Sequence, residues 1–150
     1  MTPLFKKLNL GDHRKVLVLN GPESFEVELQ LLEDVEVFRK TKRGREIGFA
    51  IFFVTTLKEI ATAAKTLSQA QGDPVIWFGY PKGTSKKYDC EFNRDNGWNA
   101  VGEAGFEGVR QVAIDADWSA LRFRRIEHIK SLKRGSSMAL TKEGKSRTKN

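Results

Sequence analysis

The chain is poor in the residues that most often bind metals or act as nucleophiles. Among its 150 residues there are one cysteine, Cys90, and two histidines, His13 and His128. A single cysteine excludes an intramolecular disulfide, and so few histidines and cysteines do not make a zinc site. No acidic run resembles a calcium-binding loop. The sequence therefore predicts no metal site.

Long apolar runs and nucleotide-binding fingerprints are also missing. The longest apolar run, Phe49 to Val54, is far shorter than the roughly 18 residues that a membrane helix needs. The N-terminal segment has no long apolar stretch and does not resemble a secretory signal. Because there is neither a Walker A motif nor a dinucleotide glycine fingerprint, we expect no cofactor. These absences together indicate a cytoplasmic protein.

Positive charge is concentrated near the C-terminus. The net charge is +7, yet residues 130–150 alone hold seven basic residues and a single acid, Glu143. The remaining 129 residues carry 19 basic and 18 acidic groups and are nearly neutral. Apolar residues after Ile129 are too few to offset the entropy of ordering the chain. The sequence predicts a folded α/β domain over residues 1–129 and a flexible basic tail over residues 130–150.

Apolar runs typical of buried strands alternate with segments of helical periodicity. The predicted strands are Lys15–Leu19, Val35–Phe38, Phe49–Val54, Pro74–Tyr80, Val109–Ile114 and Trp118–Arg125. The predicted helices run over about 22–32, from Thr56 to Gly72, and from Asn93 to Ala104. Thr56 and Glu59 have the capping-box spacing, and the last two strands form a hairpin. The pattern predicts one three-layer, Rossmann-like α/β domain with a mostly parallel sheet of about six strands.

Four segments within about residues 8–125 carry a resemblance to known sequences. They are Val16–Glu23, Trp77–Ser85, Asn93–Asp95 and Asp117–Arg125. Together they resemble a family of small, uncharacterised bacterial proteins that is defined as a domain of unknown function. Because the role of that family is unassigned, the resemblance implies no catalytic residues.

The order of the predicted elements is similar to a shortened S-adenosylmethionine-dependent methyltransferase. This similarity implies the strand order 2-1-3-4-6-5, with the last strand antiparallel inside the sheet. It also implies a glycine-rich loop after strand 1 and an acidic residue at the end of strand 2. The chain instead has Asn20-Gly21-Pro22-Glu23-Ser24 after strand 1 and Phe38-Arg39-Lys40 after strand 2. Methyl transfer is therefore not expected.

The most informative loop for function follows the predicted central strand. Residues 79–87 combine two glycines, two aliphatic hydroxyl side chains and three lysines, which are groups that hold a phosphate or a carboxylate. Open α/β sheets bind ligands at the carboxyl ends of their strands. The predicted pocket at that edge is lined by Asn20, Glu23, Thr55, Tyr80, Lys82, Thr84 and Ser85. The sequence favours a binding or regulatory domain for a small anionic ligand, with a merely solvated basic loop as the alternative.

Two other functions remain open at this stage. One is an enzyme of unknown reaction in which Lys82 or Glu23 acts as acid or base, although no catalytic residue is identified. The other is weak, nonspecific binding of nucleic acid by the tail, against the alternative of a tail that only aids solubility. The tail's phosphate-binding candidates are Lys130, Lys133, Arg134, Lys142, Lys145, Arg147 and Lys149. The tail has no aromatic residue, which argues against base stacking.

Binding of a random DNA duplex tests the tail. Contacts between lysine or arginine and phosphate release counterions, so we expect the intact chain to lose affinity steeply between about 50 and about 200 mM salt. Fluorescence anisotropy measures this loss. A chain truncated after Ile129 should bind hardly at all, and equal binding by the two chains would show that the tail is not the contact.

Overall fold

The computed structural model describes residues 2–42, 44–67 and 70–129. The strands are β1 Lys15–Leu19, β2 Glu36–Phe38, β3 Phe49–Phe53, β4 Val75–Pro81, β5 Phe106–Ala113 and β6 Trp118–Arg125. The helices are α1 Pro3–Lys7, α2 Glu23–Leu29, α3 Leu57–Leu67 and α4 Asn99–Glu103, and a 3-10 turn spans Ile126–His128. The predicted tail, residues 130–150, and its basic side chains lie outside the described residues.

The six strands form one sheet in the order β2-β1-β3-β4-β6-β5. The first four are parallel, and β6 is inserted antiparallel between β4 and β5. This confirms the predicted strand order and the closing hairpin. Leu121 and Phe123 are buried on β6, while Arg122 and Arg124 between and beyond them are half-buried. The first four residues of β6 are buried on both faces of the sheet, and the alternation is confined to its second half.

Helices cover both faces of the sheet, so the core has two halves. On one face α3 and α4 pack over side chains such as Phe52, Phe78 and Trp98. On the other face α1 and α2 pack over Phe53 and Trp77. Adjacent strand residues point to opposite faces. The indole N–H of Trp77 donates to the Leu8 carbonyl at 2.7 Å and so anchors the chain just after α1.

Reciprocal hydrogen bonds begin α3, as the capping-box spacing predicts. The Thr56 hydroxyl accepts the Glu59 N–H at 3.1 Å, and Glu59 Oε1 accepts the N–H groups of Thr55 and Thr56 at 2.9 and 3.1 Å. Burial by itself raises the pKa of Glu59, but these hydrogen bonds outweigh it and hold the pKa below its usual value. The Glu59 carboxylate is thereby committed to fixing the start of α3.

The third predicted helix is much shorter than expected. It begins at Asn99 rather than Asn93. Asn93 Oδ1 accepts the N–H groups of Asp95 and Asn96 at 2.8 and 3.1 Å, so it caps a tight turn instead. Gly97 then has φ +91°, a left-handed conformation that a helix does not contain. The turn places residues 92–95 beside the carboxyl end of β4.

Helix α1 was not expected from the sequence, although its signals are present. The Thr2 hydroxyl accepts the Phe5 N–H at 3.2 Å, and Pro3 occupies the first helical position. Five residues are too few to show a helical period, so the apolar pattern of this segment does not predict a helix.

Gly79 provides a test of the packing beneath the carboxyl edge. An added Cβ would lie 2.6 Å from Cδ1 of Phe53, whose ring packs between Phe25 and Trp118. We expect Gly79→Ala to lower the free energy of unfolding by about 1–3 kcal/mol, because a rigid aromatic cluster must move. Gly83→Ala is the matched control, since nothing lies within 4 Å of its Cβ position. Equal denaturation midpoints for the two variants would contradict this packing.

Candidate functional site

The carboxyl ends of the parallel strands define the edge at which the site lies. β1, β3 and β4 end there, at Leu19, Phe53 and Pro81. β6 is antiparallel, so it starts at the same edge, where Trp118 pairs with Pro81. Two cavities of different size open along this edge, one at the end of β4 and one at the ends of β1 and β3.

The larger cavity, called here the β4 cleft, has a volume of about 720 Å³. Its walls come from the loop after β4, from the turn before α4, and from β5 and β6. The lining residues that have polar or ionisable side chains are Tyr80, Lys82, Thr84, Ser85, Tyr88, Asp89, Cys90, Asn93, Arg94, Asp95, Gln111 and Ser119. A cavity of several hundred cubic ångströms is the usual size for a small-molecule site.

The loop that forms one wall is held by the turn between β5 and β6. The Lys82 N–H donates to the Asp117 carbonyl at 2.8 Å, and the Ser85 hydroxyl donates to the Asp117 carboxylate at 2.9 Å. Asp115 Oδ1 in turn accepts the N–H groups of Asp117 and Trp118 at 2.8 and 2.9 Å. The Ser85 hydroxyl is therefore part of the loop's own structure, whereas Lys82 and Thr84 extend from a fixed backbone.

A chain of hydrogen bonds orients Tyr80 at the base of the cleft. Arg94 Nη1 donates to Gln111 Oε1 at 3.2 Å, and Gln111 Nε2 donates to the Tyr80 hydroxyl at 2.9 Å. Because the phenol oxygen already accepts a hydrogen, its own proton is left to be donated. Burial raises the pKa of Tyr80 to about 12, so the phenol is neutral at physiological pH. Tyr80 is thus a hydrogen-bond donor and not a base.

Lys82 is the cation with the clearest capacity to bind a ligand. It is half-buried and lines the cleft, and within residues 2–42, 44–67 and 70–129 its ammonium has no hydrogen-bond or ion-pair partner. The exposed Thr84 hydroxyl lies two residues further along the same wall. Cys90 is a weaker candidate, because burial raises the pKa of its thiol and disfavours the nucleophilic thiolate.

The smaller cavity has a volume of about 240 Å³ and lies beside α3. Asn20, Thr41, Lys58, Glu59, Thr62 and Thr66 supply its polar side chains. The start of α3 stands between it and the β4 cleft: the Leu57 N–H donates to Glu91 Oε1 at 2.9 Å, and the Glu91 N–H donates to the Thr55 carbonyl at 3.0 Å. Among the residues that the structure describes, the edge is therefore divided between these two cavities.

The residues predicted to share one pocket are distributed over this divided edge. Four of them line the β4 cleft: Tyr80, Lys82, Thr84 and Ser85. Asn20 lines the smaller cavity, and Thr55 donates its hydroxyl to Glu59 at 3.0 Å. Glu23 starts α2, which packs on the face of the sheet opposite to Tyr80. Glu23 and Thr55 line neither cavity. Ligand binding by these residues remains a prediction.

Several charged or polar residues of the cleft are not predicted by the sequence, among them Arg94, Gln111 and Asp89. Arg94 falls in a segment interpreted as the start of a helix, so its position beside β4 was hidden. Gln111 lies on a predicted strand, but only the strand order brings it next to Tyr80. Asp89 belongs to a polar loop with no local pattern. The asparagine, aspartate and glycine residues between Asn93 and Gly97 are typical of a tight turn, and this is the local signal that could have predicted the position of Arg94.

Comparison with solved structures identifies the type of fold. The chain is similar to the N-methyltransferase NodS from Bradyrhizobium japonicum WM9, with a TM-score of 0.51 and 12% identity over 81% of this chain and 92% of that one. It is also similar to a SAM-dependent methyltransferase from Aquifex aeolicus, with a TM-score of 0.52 and 13% identity over 82% and 88% of the two chains. The fold is therefore a methyltransferase-like Rossmann fold.

No protein-family model and no curated protein matches the chain. The resemblance to a domain of unknown function is accordingly not confirmed. Among the described residues, no helix is long and apolar enough to cross a membrane, and no three acidic, histidine or cysteine side chains cluster as metal ligands would.

The side chains at the end of β1 and β2 do not fit S-adenosylmethionine. Arg39 follows β2 where the methyltransferase resemblance implies an acid, and it forms a 2.7 Å ion pair with Glu26. A Cβ on Gly21 would lie 3.1 Å from Val18, so this glycine faces the core and opens no space for a ligand. The adjoining cavity of about 240 Å³ is below the range usual for small-molecule sites.

Titration of Tyr80 tests the burial of its phenol at the base of the cleft. We expect the phenolate absorbance of the wild type minus that of Tyr80→Phe to rise near pH 12, because burial opposes ionisation. An unfolded tyrosine ionises near pH 10. The folded state therefore holds this proton more tightly, and stability should fall as the pH rises from about 10 to about 12. A step near pH 10 would show that Tyr80 is solvated.

Proposed function

We propose that the β4 cleft binds a small molecule that carries an anionic group. The observation that carries the proposal is the ammonium of Lys82, which lines a cavity of about 720 Å³ and has no partner among the described residues. A half-buried cation without a counter-charge is stabilised by an anion, and the bond is strengthened when other donors converge on it. Thr84 and the neutral phenol of Tyr80 supply such donors.

The pKa values of the ionisable groups in the cleft favour noncovalent binding of a ligand over acid–base or nucleophilic chemistry on it. The Tyr80 phenol and the Cys90 thiol both have raised pKa values, so neither is a ready base or nucleophile at neutral pH. Neither histidine of the chain lines the cleft. A binding role therefore follows more directly from the side chains than a covalent one.

The second candidate is an enzyme whose substrate occupies the same cleft. The structural neighbours favour it over a purely regulatory domain, because both are named as methyltransferases. Of the two acid or base candidates, Lys82 lines the cleft and Glu23 does not, so Lys82 is the residue to test. Methyl transfer from S-adenosylmethionine is not part of this proposal, because the residues at the ends of β1 and β2 do not fit that cofactor.

Calorimetric titration with ribose 5-phosphate and inorganic phosphate tests the proposed binding. We expect Lys82→Met to weaken binding by about tenfold or more, because a charge-assisted hydrogen bond is lost. Lys86→Met is the matched control: it removes the same charge from the same loop, but Lys86 is exposed and does not line the cleft. Equal weakening by both variants would mean that only the loop's overall charge matters.

The same proteins separate the enzyme from the binding domain. Mass spectrometry after incubation reports whether a bound probe is consumed. Consumption by the wild type and not by Lys82→Met supports an enzyme that uses Lys82. Binding without consumption of any probe supports the binding domain, and full turnover by Lys82→Met excludes an acid or base role for this lysine.

A further inference from the structure

The charges that line the β4 cleft are of both signs. Lys82 and Arg94 supply two cations, and Asp89 and Asp95 supply two carboxylates. Arg94 and Asp95 are paired with each other at 3.4 Å, and both side chains are more than half exposed. In a site for a bare anion, carboxylates would repel the ligand and weaken its binding. The carboxylates in the cleft therefore indicate that the ligand has polar groups besides its anionic group.

Within the described part of the chain, Lys82 and Asp89 are the two charges of the cleft that remain unpaired. Across the part of the chain that the structure describes, neither side chain has a hydrogen-bond or ion-pair partner. They also do not pair with each other, although both line the same cavity. Lys82 belongs to the loop fixed by Asp117, and Asp89 lies beyond Ser85, whose hydroxyl accepts the Tyr88 N–H at 3.2 Å. The two opposite charges thus belong to one ordered loop without pairing, Lys82 half-buried and Asp89 exposed.

We infer that the ligand is bifunctional, with an anionic group that binds Lys82 and a hydrogen-bond donor, either an ammonium or hydroxyls, that binds Asp89. This inference rests on the proposed anion binding and names the chemistry of the ligand's other end. Such a molecule satisfies both unpaired charges at once, whereas a bare anion leaves the Asp89 carboxylate facing it. A cavity of about 720 Å³ has room for more than a single phosphate group.

Tyr80 adds a third point of recognition. Its oxygen accepts the Gln111 amide N–H at 2.9 Å, so its own proton is available to an acceptor atom of the ligand. The ligand therefore meets a cation, a neutral donor and a carboxylate in one cleft. This combination selects a polar molecule with a distinct anionic end.

Three phosphate compounds test the inference by calorimetric titration. Methyl phosphate has only the anionic group, phosphoethanolamine adds an ammonium, and ribose 5-phosphate adds hydroxyls. We expect the wild type to bind at least one of the last two about tenfold more tightly than methyl phosphate, as one further charge-assisted hydrogen bond implies. Which of the two gains affinity distinguishes an ammonium from hydroxyls as the group at Asp89.

Asp89→Asn then identifies the carboxylate responsible. It should remove most of the preference while leaving methyl phosphate bound as tightly as before, or more tightly. Asp12→Asn is the control, because Asp12 is exposed and precedes β1 at the opposite edge of the sheet. Failure of all three compounds to bind the wild type would overturn the proposed function together with this inference. Equal binding of the three, or a preference that survives Asp89→Asn, would overturn the inference alone.

Discussion

The pairing of β6 with β4 determines where a site can form in this chain. Because β6 runs antiparallel, its first residues and the turn before it come to the edge at which the parallel strands end. Asp115 in that turn accepts the Ser24 hydroxyl at 2.8 Å, and Asp117 holds the backbone and hydroxyl of the loop after β4. The same insertion brings β5, and with it Gln111, within reach of Tyr80. The pairing of β6 with β4 thus fixes the loop after β4, provides one wall of the cleft and orients Tyr80 at its base.

The sheet and α3 divide the carboxyl edge into two parts, and this division decides which strand ends can contribute to one binding site. Glu23 and Tyr80 are both at carboxyl ends of strands or just beyond them, yet they lie on opposite faces of the sheet. The start of α3, fixed by Glu59 and Glu91, separates the end of β1 from the end of β4. The side chains suited to a ligand consequently gather at β4, and the end of β1 has the smaller cavity and a glycine turned toward the core.

The sequence predicts the elements well because their signals are local. Buried strands such as Val75-Ile76-Trp77-Phe78 and the Thr56–Glu59 capping box can be recognised without any partner. The strand order came from similarity to the methyltransferase architecture, since pairing partners leave no local trace. The predicted start of the third helix at Asn93 was wrong, because an asparagine caps a tight turn by the same hydrogen bonds that it uses at a helix start. The division of the site depends on side-chain directions across the whole sheet, which no single segment contains.

Backbone amide shifts in an NMR titration of the intact chain test most directly whether the β4 cleft is the binding site. Ribose 5-phosphate and phosphoethanolamine are the ligands to add, one at a time. The account predicts saturable shifts over residues 82–85 and 89–95, together with Gln111, and none at Asn20 or Lys58. Shifts confined to the loop after β1 and the start of α3 would contradict it, because they would place the ligand in the smaller cavity on the other side of α3.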